Sequence, residues 1–150
     1  MTEAKWAPAV EPKPLSENVK RGLAWLAEHQ LPSGAWGQGE ESAQMGGGTA
    51  MRDTPSVADT CASTLALIRS GSTPSKGPYA SSVLKAVEYL CAEIEGYDED
   101  SLYITSTRGT RLQSKLGPYI DTFMASLVLA EVQGQMPNKK SEKRVSRALD

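Results

Sequence analysis

Residues 19–36, VKRGLAWLAEHQLPSGAW, decide how the rest of the chain is read. Val19, Leu23, Leu26 and Gln30 recur at helical spacing, while Lys20, Arg21, Glu28 and His29 occupy much of the remaining surface, so the segment reads as an amphipathic helix with one buried stripe. Ser16 stands before it as an N-cap, and Glu17 puts negative charge in the first turn, where the helix dipole favours it. Pro32 forbids continuation, and Gly34 permits a sharp turn that returns Trp36 to the helix end. Upstream, residues 1–15 carry Pro8, Pro12 and Pro14 with no hydrophobic period and read as an extended, mobile lead, with Trp6 available to tack it to the body.

Downstream, a long segment at 37–55 is centred on Gly46, Gly47 and Gly48. No strand precedes it and no Lys followed by Ser or Thr closes it, which excludes a phosphate loop. Ser56 and Asp59 are spaced as a capping box with Asp in place of Glu, and they open a second helix. Its body, CASTLALI at 61–68, is apolar or small nearly all round, which calls for burial on most sides; the helix ends at Gly71. A third helix runs from about Ser82 to Glu95 with Val83, Val87, Leu90 and Ile94 on one stripe. Residues 96–117 read as a second long polar loop, with 102–105 as at most a brief extended piece lacking a partner strand. After Pro118, residues 119–132 (YIDTFMASLVLAEV) form a fourth helix, apolar almost throughout, and Ser141–Asp150 begins a fifth with Val145 and Leu149 on its stripe.

The helices repeat one another. Val19, Arg21, Leu23, Trp25 and Leu26 align with Val83, Lys85, Val87, Tyr89 and Leu90, and Val145, Arg147 and Leu149 restart the series. Asp59, Thr60, Leu65 and Leu67 align with Asp121, Thr122, Leu127 and Leu129, about 62 residues further on. Amphipathic helices thus alternate with helices apolar on nearly every face. An outer amphipathic layer covering an inner layer, itself facing a cavity or more protein, satisfies both. The expectation is an all-α fold of helical hairpin repeats. Repeat one spans 16–80, repeat two 81–138, and 139–150 begins a third.

Composition excludes several classes of function. Lys plus Arg number 16 against 18 Asp plus Glu, which is not the footprint of a nucleic-acid binder. No apolar run approaches a bilayer span and the first residues lack the apolar core of a signal peptide, so a soluble chain of unassigned compartment is expected. Cys61 and Cys91 both fall in apolar helical stretches and read as reduced, buried thiols rather than a bridge or metal pair.

Gln30, Gly34 and Trp36, preceded by Trp25 and Leu26, resemble the Gln-Trp repeat of the triterpene cyclases, and residues 17–150 as a whole look like the prenyltransferase and squalene-cyclase repeat group. The resemblance implies an α/α toroid of concentric inner and outer helices, here an incomplete barrel of about two and a half hairpins. It also implies a structural role for Gln30, Gly34 and Trp36, which would tie the end of an outer helix to the start of the next inner one. The full motif occurs once; after Glu95 no Gln-Gly-Trp series follows. The catalytic features of the family do not carry over. Asp98, Glu99 and Asp100 lack the Asp-x-Asp-Asp spacing of the cyclase acid and read as a solvated charge run. His29 is the single histidine and has no evident co-ligands for zinc, and the Cys-Gly-Glu-Gln thioester signature is missing. No catalytic residue, metal or cofactor is expected.

One constellation carries chemistry. In antiparallel hairpins both long segments lie at the end where the inner helices start, which sets Asp59 beside Asp121 near Arg52, Asp53, Arg108 and Arg111. In one reading the aspartates complement helix dipoles and pair with loop arginines to pin the loops. In the other these six residues form a polar ligand mouth above an apolar cavity. Two functions follow: a non-catalytic repeat module that binds further toroid repeats or a second copy of itself, or part of an isoprenoid-type cyclase, transferase or lipid-binding protein whose inner helices line an apolar pocket.

Overall fold

The structure, a computed structural model, describes residues 13–39 and 52–150. Trp6 and the lead before residue 13, and the triple glycine of the first long segment, lie outside the described residues. The fold is all-α, with α1 (Glu17–Glu28), α2 (Val57–Arg69), α3 (Ala80–Glu95), α4 (Arg111–Leu116), α5 (Ile120–Val132) and α6 (Lys139–Leu149). Two short extended pieces that the sequence did not signal, β1 (Trp36–Gly37) and β2 (Pro55–Ser56), pair antiparallel with Trp36 opposite Ser56. This two-rung bridge closes the base of the first long segment. It is close-fitting, since a Cβ on Gly37 would lie 2.9 Å from the Arg52 carbonyl carbon.

Local signals set most helix starts. The Ser16 hydroxyl accepts the Val19 N–H at 3.3 Å, and Asn138 accepts the Ser141 N–H at 2.9 Å, which starts α6 two residues before the expected Ser141. At α2 the expected capping box takes a different form. Ser56 Oγ accepts the Asp59 N–H at 3.4 Å and donates to Asp59 Oδ2 at 2.5 Å, because aspartate is one carbon too short to reach back to the cap backbone as glutamate would. A reciprocal box forms instead at Thr110 and Gln113, with bonds of 3.2 and 3.3 Å. It nucleates α4 inside the stretch expected to be loop. A six-residue helix is too short to show a hydrophobic period, and its signature lay only in the Thr-x-x-Gln spacing. Residues 102–105 form no strand.

α2 and α5 pack most extensively on each other; α1 lies on α2, α3 touches both α2 and α5, and α6 rests on α3 and α5. The core between them contains Leu67, Leu90, Leu129, Val57, Val83 and Val145, all fully buried. The α3 stripe is buried as its spacing predicts, with Ile94 at the edge. The α1 stripe is shorter than expected: Leu23 is buried and Leu26 packs at the margin, but Val19 is 47% exposed. α5 also departs from burial on nearly all sides. Ala125, Val128, Leu129 and Val132 enter the core, whereas Phe123 is 71% and Leu127 44% exposed, with no described residue covering that face.

Polar ties fasten the helices to one another. Arg144 grips Glu95 with two bonds of 2.9 and 2.7 Å between α6 and α3. Glu142 accepts the Gly134 and Met136 N–H groups at 2.6 and 3.2 Å, fixing the turn from α5 into α6. Cys61 and Cys91 are reduced and buried, and burial pushes the Cys91 thiol up to about 11 and that of Cys61 higher still. No helix among the described residues is long and apolar enough to cross a membrane.

Candidate site at the rim of the inner helices

The turn after α1 is fastened by its own side chains. Gln30 Nε2 donates to Gly34 O at 2.8 Å and to Ser82 O, in the first turn of α3, at 2.9 Å. The Trp36 indole N–H donates to Leu26 O at 2.9 Å, and its backbone N–H donates to Thr60 Oγ1 in α2 at 3.0 Å. Trp36 is buried against the core. Trp36 therefore joins the end of α1, through its indole, to the start of α2, through its backbone amide, while Gln30 reaches α3.

Asp121 lies in the first turn of α5, only 3% exposed. Its Oδ1 accepts the Ala58 N–H at 3.0 Å and its Oδ2 accepts Gln113 Nε2 at 2.7 Å. Since Gln113 also closes the α4 capping box, one carboxylate links the starts of α2, α4 and α5. The expected pairing of Asp121 with loop arginines is thus replaced by a backbone amide and a carboxamide. These groups reach it because α2 and α5 start side by side, and they satisfy a buried carboxylate without a second buried charge.

The arginines are engaged elsewhere. Arg108 stacks 3.7 Å over the Tyr103 ring, donates to the Tyr97 hydroxyl at 2.7 Å, and bonds the carbonyls of Thr105 and Thr107, so it fastens its own loop. Arg52 is bidentate to its neighbour Asp53 at 2.8 and 2.7 Å. The Arg111 backbone N–H donates to Gln38 Oε1 at 2.9 Å, joining the two long segments, and its charge acts on Asp59. Asp98, Glu99 and Asp100 are exposed. Of the six residues of the expected mouth, Arg52, Asp53 and Asp59 line one cleft; Arg108, Arg111 and Asp121 are not among its lining residues, though the Arg111 and Asp121 charges both act on Asp59.

That cleft has a volume of about 480 Å³, within the range of small-ligand sites, and lies between the C-terminal half of α1, the turn after it and the start of α2. Trp25, Trp36 and His29 supply its aromatic lining, and Arg52, Asp53 and Asp59 its charged lining. The Trp25 and His29 rings stack at 4.0 Å and 20°, and His29 Nδ1 lies 2.8 Å from Trp25 O. Because a carbonyl can only accept, that nitrogen carries the proton, which leaves Nε2 of the neutral ring as an acceptor. The sequence contained this pair at i, i+4 spacing, but nothing local distinguished it from an ordinary helix surface.

Burial pushes the Asp59 carboxyl above its ordinary pKa; the Ser56 hydroxyl opposes the shift and the Asp121 charge adds to it. A folded-state pKa raised above the unfolded value contributes stability below the unfolded pKa, and that contribution is lost as pH rises through the folded pKa. Once ionised, the side chain is held less favourably in the fold than in the unfolded chain. Asp59→Asn is therefore expected to melt at or above the wild-type temperature at neutral pH, with the difference closing in acid. Calorimetry at both pH values checks this, and a clear loss of stability at neutral pH would contradict it.

Among the described residues no group of three or more His, Cys, Asp or Glu is placed to hold a metal ion. No family model, curated protein or solved structure matches the chain.

Proposed function

We propose that the chain is a non-catalytic helical repeat module, similar to the prenyltransferase and squalene-cyclase repeat and of α/α toroid type, that works by association through its inner helices. The observation that carries this reading is the outward face of α5, where Phe123 (71% exposed) and Leu127 (44% exposed) stand on a helix whose other side is core. Leu116, 63% exposed in α4 just upstream, adds to the apolar surface at this end. Covering Phe123 and Leu127 is worth roughly 2 kcal/mol apiece, enough to favour a helical neighbour over water. In a toroid that neighbour is the next inner helix, supplied by a further repeat or a second copy. The Gln30, Gly34 and Trp36 turn supports the same reading, since its bonds join consecutive helices. The engagement of Asp121 by Ala58 and Gln113 makes it a structural residue rather than an acid.

Sedimentation velocity over a wide concentration range tests the proposal. The wild-type chain is expected to exceed its 16.1 kDa monomer mass as concentration rises, and Phe123→Glu with Leu127→Glu to remain monomeric with unchanged circular dichroism. A wild-type monomer at every concentration would contradict self-association. A co-purified lipid in native mass spectrometry, lost in the same double variant, would favour the isoprenoid-binding alternative.

A further inference from the structure

The cleft between α1 and α2 is independent of the α5 face and has a chemistry of its own. Its aromatic lining includes Trp25, 53% exposed, stacked on His29 with the Nε2 acceptor left over. Its polar lining includes Asp59, whose Oδ2 takes the Ser56 hydroxyl while Oδ1 takes no hydrogen bond from another described residue. No buried side-chain nitrogen or oxygen among the described residues lacks a partner, which places Oδ1 within reach of solvent. Among the described residues that line the cleft, Arg52 is the one Lys or Arg, and it is clamped by Asp53; the Arg111 charge acts on Asp59 from outside that lining. The cleft thus offers acceptors, a carboxylate with one oxygen open and an indole face, which together select a donor-rich cation over an anion or a neutral group.

We infer that the cleft of Trp25, His29 and Asp59 is a binding site for a primary ammonium group carried on an apolar body. The ammonium lies against the Asp59 carboxylate and the Trp25 indole, and the apolar body lies along Leu26 and Leu31, which also line the cleft. A free amine and a lysine side chain share this chemistry.

Titration of the intact, uniformly 15N-labelled chain with benzylammonium, N-acetyl-lysine amide, benzyl alcohol and benzoate tests the assignment, following the Trp25 indole and the His29 amide by NMR. Benzylammonium is expected to saturate, with benzyl alcohol and benzoate at least tenfold weaker. The stronger binder of benzylammonium and N-acetyl-lysine amide identifies the source. Asp59→Asn and Trp25→Ala are each expected to weaken binding tenfold or more while keeping the rest of the amide spectrum. Equal binding of benzyl alcohol, tighter binding of benzoate, or no saturable shift in the wild-type chain would overturn the site. Those comparisons need no variant, so a poorly folding substitution does not shield the proposal.

Discussion

Asp121→Ala is expected to lower the stability of the chain by about 3 kcal/mol, or roughly 10 °C in melting temperature for a domain of this size. The loss has two sources. The Ala58 N–H, fully buried in the first turn of α2, loses its acceptor at 3.0 Å, and the Gln113 carboxamide loses one of its two acceptors, that at 2.7 Å, keeping Thr107 O at 3.0 Å and, through its oxygen, the α4 cap. A buried donor left without a partner keeps its full desolvation cost. Asp121→Asn should be milder, because its amide oxygen still accepts from Ala58 while its NH2 meets the Gln113 NH2. Urea unfolding followed by circular dichroism separates the three chains. If Asp121→Ala unfolds at the wild-type midpoint, the carboxylate is not the link between α2, α4 and α5.

Gly34→Ala is expected to cost about 3 kcal/mol, for a reason that is steric rather than polar. Gly34 has φ +90°, and a Cβ built there overlaps the Lys85 carbonyl oxygen, lies 2.7 Å from its carbon and 3.1 Å from the Lys85 Cβ. The obstacle is α3 backbone, which yields only if α3 moves away from the turn, and that stretches the Gln30 bond to Ser82 O. Gly71→Ala is the control. It has φ +104° but open space around its Cβ position, so it bears only the backbone term, on the order of 1 kcal/mol. A difference of about 2 kcal/mol between the two, read from chemical denaturation, isolates the contact with α3. Equal losses would show that the turn does not need the close approach.

The contrast between these residues separates local from distant causes. Helix positions, the Ser16 and Ser56 caps and the α3 stripe were legible in the sequence because each depends on residues three or four apart, and such spacings survive any packing. The Gln30, Gly34 and Trp36 turn was legible too, since proline and glycine restrict the backbone where they stand. The sequence also placed Asp59 and Asp121 at helix starts on one rim. Their roles were not legible. Asp121 is bonded to Ala58, 63 residues away, and Asp59 differs from it only by facing a cleft instead of a neighbouring helix.

By itself, then, the sequence determined an all-α chain of alternating amphipathic and apolar helices with its turns in place, because periodicity and backbone freedom are properties of short segments. Only the tertiary structure decided which carboxylate is enclosed and which lines a cleft with Trp25 and His29, and which face of α5 stays open. Burial and hydrogen-bond partnership depend on the relative placement of elements dozens of residues apart, and no local pattern encodes that placement.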